Sequence, residues 1–278
     1  MGTSNLYKGP KSSVLLPSDY TDGQEDTSNT DNSNSESPIE DSTIDDELDD
    51  AAKAKEPEKV QSWGSARSAM TRSASNNSGS NGIRKAVREY TKALGGHRNA
   101  SRQASSARRV TASVISLFSG SSSEVKAKVK ALGITFEGKS TTDVLLDIRD
   151  VLAPVPDQLE EGYVNKALND TMSDILADAE FQVEDIDELF NAKLLEKMVC
   201  GFIKGYIYNK MIAQSTLGVL MKQDSVSNIA RFEKELKNFI DGVVQATVPP
   251  MLHSGMEQKE ISVLVNDLYD VTYQSMEA

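Results

Sequence analysis

From Ile83 onward the apolar residues of this chain recur at spacings of three and four, the period of an amphipathic helix. Ile83, Val87, Tyr90 and Leu94 share one stripe, Arg84, Lys85, Arg88 and Lys92 lie off it, and Gly95-Gly96 ends the pattern. A second helix is predicted over about 99–118, rich in Ala and Ser, whose small side chains allow close helix packing. Ser121-Ser122-Ser123-Glu124 reads as a capping box opening a short helix to Leu132, and another helix runs from Asp143 to Leu152 before Pro154 and Pro156. Beyond the prolines, Tyr163, Ala167, Met172, Ile175 and Ala179 keep helical spacing. A longer helix then carries apolar residues from Ile186 through Leu194, Met198 and Phe202 to Ile207, a face broad enough for the centre of a bundle. Two further stripes follow, one from Ile229 to Val244, closed by Pro249-Pro250, and one from Ile261 to Tyr269. No run alternates with period two for long enough to argue a sheet, and no internal repeat is present. The prediction is an all-α domain over 83–278, with basic helices over 83–132 and a bundle over 143–278.

The residues ahead of Ile83 follow different rules. Over 1–18 a Gly9-Pro10 turn signal and the plug Val14-Leu15-Leu16-Pro17 predict an extended peptide. Over 19–82 the chain reads as a linker, acidic at first and then rich in Ser, Asn and Arg. From Asp19 to Glu58 the only large aliphatic residues are Ile39, Ile44 and Leu48, too few to offset the entropy of ordering, so the stretch is predicted to be a disordered, self-repelling tether. An island from Trp63 to Arg72, containing Arg67, precedes a Ser/Asn/Gly run to Gly82 that reads as flexible. Trp63, the single tryptophan, either docks on a partner or covers the edge of the chain's own helical core.

Composition adds limits. Of 278 residues only 38% are hydrophobic and 6% aromatic, low for a globular chain of this length, which again predicts an unfolded portion. The net charge of -12 is uneven, with acids crowded over Asp19 to Glu58 and bases over Arg67 to Lys130. Between Arg67 and Arg109 the cations face a single acid, Glu89, the footprint of a phosphate-backbone binder. Aromatic residues for base stacking are few and the chain as a whole is anionic, which favours pairing with an acidic partner or with the chain itself. Nucleic-acid contact through Arg98, Arg102, Arg108 and Arg109 stands as the alternative. Cys200 is alone, so no internal disulfide can form, and its apolar neighbours predict a buried thiol in a reducing, cytoplasmic setting. Val14-Leu15-Leu16 is too short to enter a bilayer, so no membrane association is expected.

The chemistry-bearing motifs are sparse. His97 and His253 sit beside glycine or proline breaks and suggest neither a metal cluster nor a Ser-His-Asp set, and no phosphate-binding loop is present. The acidic run Glu184-Asp185-Ile186-Asp187-Glu188 suits a helix start better than an acid/base site. The expectation is a protein that is not an enzyme and uses no metal or cofactor. The start of the chain, Met1-Gly2-Thr3-Ser4-Asn5-Leu6, offers one reactive group. Removal of Met1 exposes an unhindered glycine amine, with a reference pKa of about 7.7–8.0 against about 10.4 for Lys8 or Lys11. That amine is an acylation target or simply a frayed end, and Leu6 stands where N-myristoylation requires Ser or Thr.

Met1-Gly2-Thr3-Ser4 with Tyr7 and Gly9-Pro10, then Leu15-Leu16-Pro17, the Ala66-Arg67 and Thr71-Arg72 island, Tyr90 before Gly95-Gly96, and the Ser/Ala/Arg-rich helix through Arg108-Arg109 resemble the QatB family of the four-component Qat anti-phage defence system. The resemblance implies three partners: QatA, a P-loop ATPase; QatC, similar to the 7-cyano-7-deazaguanine synthase QueC; and QatD, similar to TatD metal-dependent DNases. A QueC-like enzyme activates a deazaguanine carboxylate as an acyl adenylate for attack by an amine. On this basis Gly2 is the expected acceptor. Thr3, Ser4, Tyr7, Gly9, Pro10, Leu15, Leu16, Pro17, Trp63, Arg67 and Arg72 are the expected partner contacts. The expected function is that of a non-enzymatic defence adaptor. The alternative is a nucleic-acid-binding subunit that presents phage DNA to the TatD-like nuclease.

Overall fold

The structure is a computed structural model that describes residues 63–75, 79–216, 226–253 and 256–278. Among these residues every regular element is helical and none is a strand, as the apolar periodicity requires. The peptide over 1–18, and the part of the linker up to residue 62 with its predicted disorder, lie outside the described residues.

The helical body begins earlier than predicted. Helix α1, Trp63–Ser75, buries Ala66, Ala69, Met70 and Ala74 at helical spacing, and α2, Gly79–Ala93, starts within the Ser/Asn/Gly run. Thus the described residues between Trp63 and Gly82 belong to the body and not to a linker. The reason is compositional: the buried stripe of α1 is mostly alanine, so it contributes close packing with little apolar bulk. Trp63 is partly buried at the head of α1 and meets Tyr90 edge-on, with ring centroids 5.9 Å apart.

The helix predicted over 99–118 is two helices, α3, His97–Arg102, and α4, Ser105–Phe118. A break exposes carbonyls that an unbroken helix would satisfy. Here the buried Lys210 reaches in, its Nζ donating to the Gln103 carbonyl at 3.4 Å. Capping boxes at Ser121/Glu124 and Ser140/Asp143 open α5, Ser122–Ala131, and α6, Thr141–Leu152. Next come α7, Leu159–Ala177, the short α8, Ile186–Leu189, and α9, Ala192–Met211. Asn191 separates the last two, because its side chain accepts the Leu194 N–H at 3.0 Å and restarts the helix. A π turn, Ile212–Thr216, extends α9, and α10, Val226–Thr247, and α11, Gln258–Glu277, complete the described body.

Helix α9 is the central strut, packed by α7, α4 and α10, while α11 lies against α2, α3, α4 and α10. The basic helices over 83–132 and the bundle over 143–278 share one hydrophobic cluster, which runs from Ala69 to Met276. Helices α7 and α9 approach closely at glycines. A Cβ on Gly205 would stand 3.3 Å from the Ala167 Cα, and one on Gly201 would stand 2.9 Å from the Thr171 Cγ2. Among the described residues no helix is long and apolar enough to cross a membrane.

Candidate functional site: a basic groove between α4 and α11

Helix α4 turns Val110, Val114 and Ile115 into the core, which leaves Arg109 and Ser113 on its outer side. Helix α11 likewise buries Ile261, Val265 and Leu268 and presents Gln258, Ser262 and Asn266 along one edge. Between these edges lies a groove of about 830 Å³, closed at its far side by residues from the ends of α5 and α6. Its apolar lining comes from Ala112, Leu117, Leu152 and Val265, and two large apolar residues on its rim, Leu132 and Val151, are 45% and 47% exposed.

All the ionisable side chains lining this groove are cationic: Arg108, Arg109 and Lys128. That is unusual on a chain with 42 acids and 30 bases. Lys128 is fixed from below, its Nζ donating at 2.7 Å to the carbonyls of Ser116 and Ser119 at the end of α4, where the helix dipole favours a cation. Arg108 donates from Nη1 to the Asn266 Oδ1 at 2.6 Å, and its buried Nε has no hydrogen-bond partner among the described residues. Arg109 is exposed and forms no ion pair with a described residue. The arrangement can hold carboxylates along one wall and apolar side chains on the floor.

The other two arginines of the predicted set are elsewhere. Arg98 and Arg102 are exposed on α3 in a separate depression of about 730 Å³, which they share with Asp267, Asp270 and Glu277. The Glu277 Oε2 accepts the His97 backbone N–H at 3.0 Å and lies 3.0 Å from the His97 Nδ1, while the Asp270 Oδ1 is 3.9 Å from the His97 Nε2. The structure thus brings Arg108 and Arg109 together and sets Arg98 and Arg102 among the chain's own carboxylates. Arg98 and Arg102 share this depression with those carboxylates without a direct ion pair among the described residues, and they stand apart from Arg108 and Arg109.

Of the remaining predicted contacts, Arg67 and Arg72 are exposed on α1, and Arg72 donates from Nε to the Ser68 carbonyl at 3.2 Å. Trp63 covers the edge of the core beside Tyr90. Gly2, Thr3, Ser4, Tyr7, Gly9, Pro10, Leu15, Leu16 and Pro17 lie outside the described residues. In the acidic run, Asp187 accepts from Lys126 and from the Ser122 hydroxyl at 2.8 Å, bonds that hold its carboxyl below the usual range.

A polar cluster inside the body was not foreseen. Tyr206 donates its hydroxyl to the Glu160 Oε1 at 3.0 Å, and the Lys210 Nζ donates to the Tyr206 hydroxyl at 3.2 Å. Tyr269 pairs with Thr111 at 3.1 Å, whereas the Tyr273 hydroxyl is buried without a partner among the described residues. Burial pushes the phenols of Tyr206, Tyr269 and Tyr273 up and the Lys210 ammonium down. Sequence reasoning also missed Lys128, Val151 and Asn266 in the groove, because their helices lie far apart along the chain. The one legible signal was an apolar residue, such as Leu132, at the solvent end of a short helix.

No curated protein matches the chain. No solved structure matches it either. A family model described as "QatB: Qat anti-phage system associated protein QatB" matches residues 95–276, from the end of α2 almost to the end of α11 and including every residue that lines the groove. With the match spanning most of the chain, the protein belongs to the QatB family and has its role in the Qat anti-phage system.

Proposed function

We propose that this chain is a non-enzymatic adaptor of the Qat system. Its helical body binds the QatA-like ATPase and the QatC-like, QueC-related enzyme, and its N-terminal glycine is the acceptor for a deazaguanine acyl group. The observation that carries the binding part is the groove beside α4, where apolar rim residues stand exposed next to an arginine with no ion-pair partner among the described residues. Exposed apolar groups beside directional charges are the usual makings of a protein interface.

The acylation follows from the amine. Once Met1 is removed, a glycine α-amine is partly neutral near pH 7.5, while lysine amines are almost wholly protonated. In the proposed step the neutral nitrogen attacks the acyl carbon of the adenylate. The carbon–oxygen bond to AMP breaks, AMP leaves with the electron pair, and the amine proton passes to solvent, leaving an amide. The product nitrogen carries the protein chain, so it cannot be dehydrated onward to a nitrile.

Co-expression of the tagged full chain with the other Qat components tests the adaptor reading. The expected result is retention of the ATPase and the QueC-like enzyme through affinity and size-exclusion steps. A chain that elutes alone from cells containing all the components overturns it.

A further inference from the structure

We propose that the groove between α4 and α11 is the docking site for an acidic amphipathic segment of a partner protein. Apolar side chains of that segment lie on Ala112, Leu152 and the Leu132–Val151 rim, and its carboxylates lie against Arg108 and Arg109. This rests on the adaptor reading and adds the chemistry of the occupant.

Three observations select that chemistry. First, the ionisable groups lining the groove are all cationic, on a chain of net charge -12, so the local sign is opposite to that of the molecule. An acidic ligand is therefore drawn to this face and repelled by most others. Second, the cations differ in availability. Lys128 is committed to two carbonyls and Arg108 to Asn266, whereas the exposed Arg109 has no ion pair with a described residue and can form a bidentate bond with a carboxylate. Third, Leu132 and Val151 are among the few large apolar side chains that the body leaves exposed, and both border this groove. A purely polar polyanion gains nothing from them, which favours a peptide with apolar residues over a nucleic-acid backbone. The outward Gln258, Ser262 and Asn266 of α11 supply uncharged hydrogen-bonding groups along the opposite wall.

The test uses the full chain in cells that express all the Qat components, with a photocrosslinking benzoylphenylalanine in place of Ser113 or Ser262, both exposed at the groove. Irradiation followed by peptide mapping is expected to give a crosslink to one segment of a Qat partner in which Asp or Glu alternates with large apolar residues. Arg109→Glu is expected to lower the crosslink yield about tenfold, equivalent to about 1.4 kcal/mol. Changing the mapped partner carboxylate to Lys should restore it. Because Arg109 is exposed, an unchanged melting curve will show that the variant folds.

A crosslink to a segment without acids, to nucleic acid or to acidic residues of the chain itself overturns the proposal. So does the absence of a crosslink while the chain still copurifies with its partners, an outcome that leaves the adaptor reading standing. A chain that copurifies with no Qat component removes both.

Discussion

Tyr273 and Tyr206 are both fully buried, yet their hydroxyls face opposite circumstances. The first has no partner among the described residues, and the second bridges Glu160 and Lys210. Removing an unsatisfied buried hydroxyl relieves a desolvation cost, whereas removing one of a bonded set strands its partners. Tyr273→Phe is therefore expected to raise stability by about 1 kcal/mol, and Tyr206→Phe to lower it by about 2 kcal/mol, in equilibrium urea unfolding. The pH dependence has a definite sign. Burial raises the folded-state pKa of Tyr206, Tyr269 and Tyr273 above the unfolded value near 10, so their contribution is intact below pH about 10 and is lost as the pH rises beyond it. Lys210, whose pKa burial lowers, acts in the opposite sense, but only up to the ordinary lysine value of about 10.4. Above that, each buried tyrosine steepens the decline by up to about 1.4 kcal/mol per pH unit, and Tyr273→Phe should make the alkaline limb shallower. An unchanged slope would show that the phenol is not buried in solution.

At the level of elements, two glycines in long helices have opposite roles. Gly201 lies where α9 meets α7, and Thr171 cannot retreat from an added Cβ because its hydroxyl is bonded to the Ala167 carbonyl at 2.7 Å. Gly242 on α10 is exposed and has nothing within 4 Å of a Cβ. Gly242→Ala should stabilise by about 1 kcal/mol through helix propensity, while Gly201→Ala should destabilise by about 1–3 kcal/mol through overpacking, both read from thermal and urea unfolding. Most helices were legible in the sequence because their apolar stripes and caps are local: the Ser121/Glu124 box and the Gly95-Gly96 stop are both present. What was not legible depended on distant partners. The break between α3 and α4 is sustained by Lys210, more than a hundred residues away. Helix α1 was hidden by its alanines, whose burial depends on α2 and α10. Half of the predicted arginine set lines the groove, and the helices that complete the site could not be assigned without the packing of α11.

Across the whole molecule, charge is segregated by structure as well as by sequence. Helix α11 supplies carboxylates beside Arg98 and Arg102 but only uncharged residues beside Arg108 and Arg109, so the groove is lined by cations without a carboxylate while the α3 depression is mixed. The family match covers the helical body from Gly95 onward, whereas α1, α2, Gly2 and the other N-terminal residues precede it. The two halves of the proposed function therefore make separate demands: the body must hold partners, and the terminus must be chemically altered by one of them. The direct test of the second is the mass of the N-terminal peptide from the full chain, purified from cells with an active or an inactivated QueC-like enzyme. The account predicts a deazaguanine acyl adduct on the Gly2 nitrogen with the active enzyme alone. A free Gly2 amine in the presence of that enzyme and its precursor would contradict it.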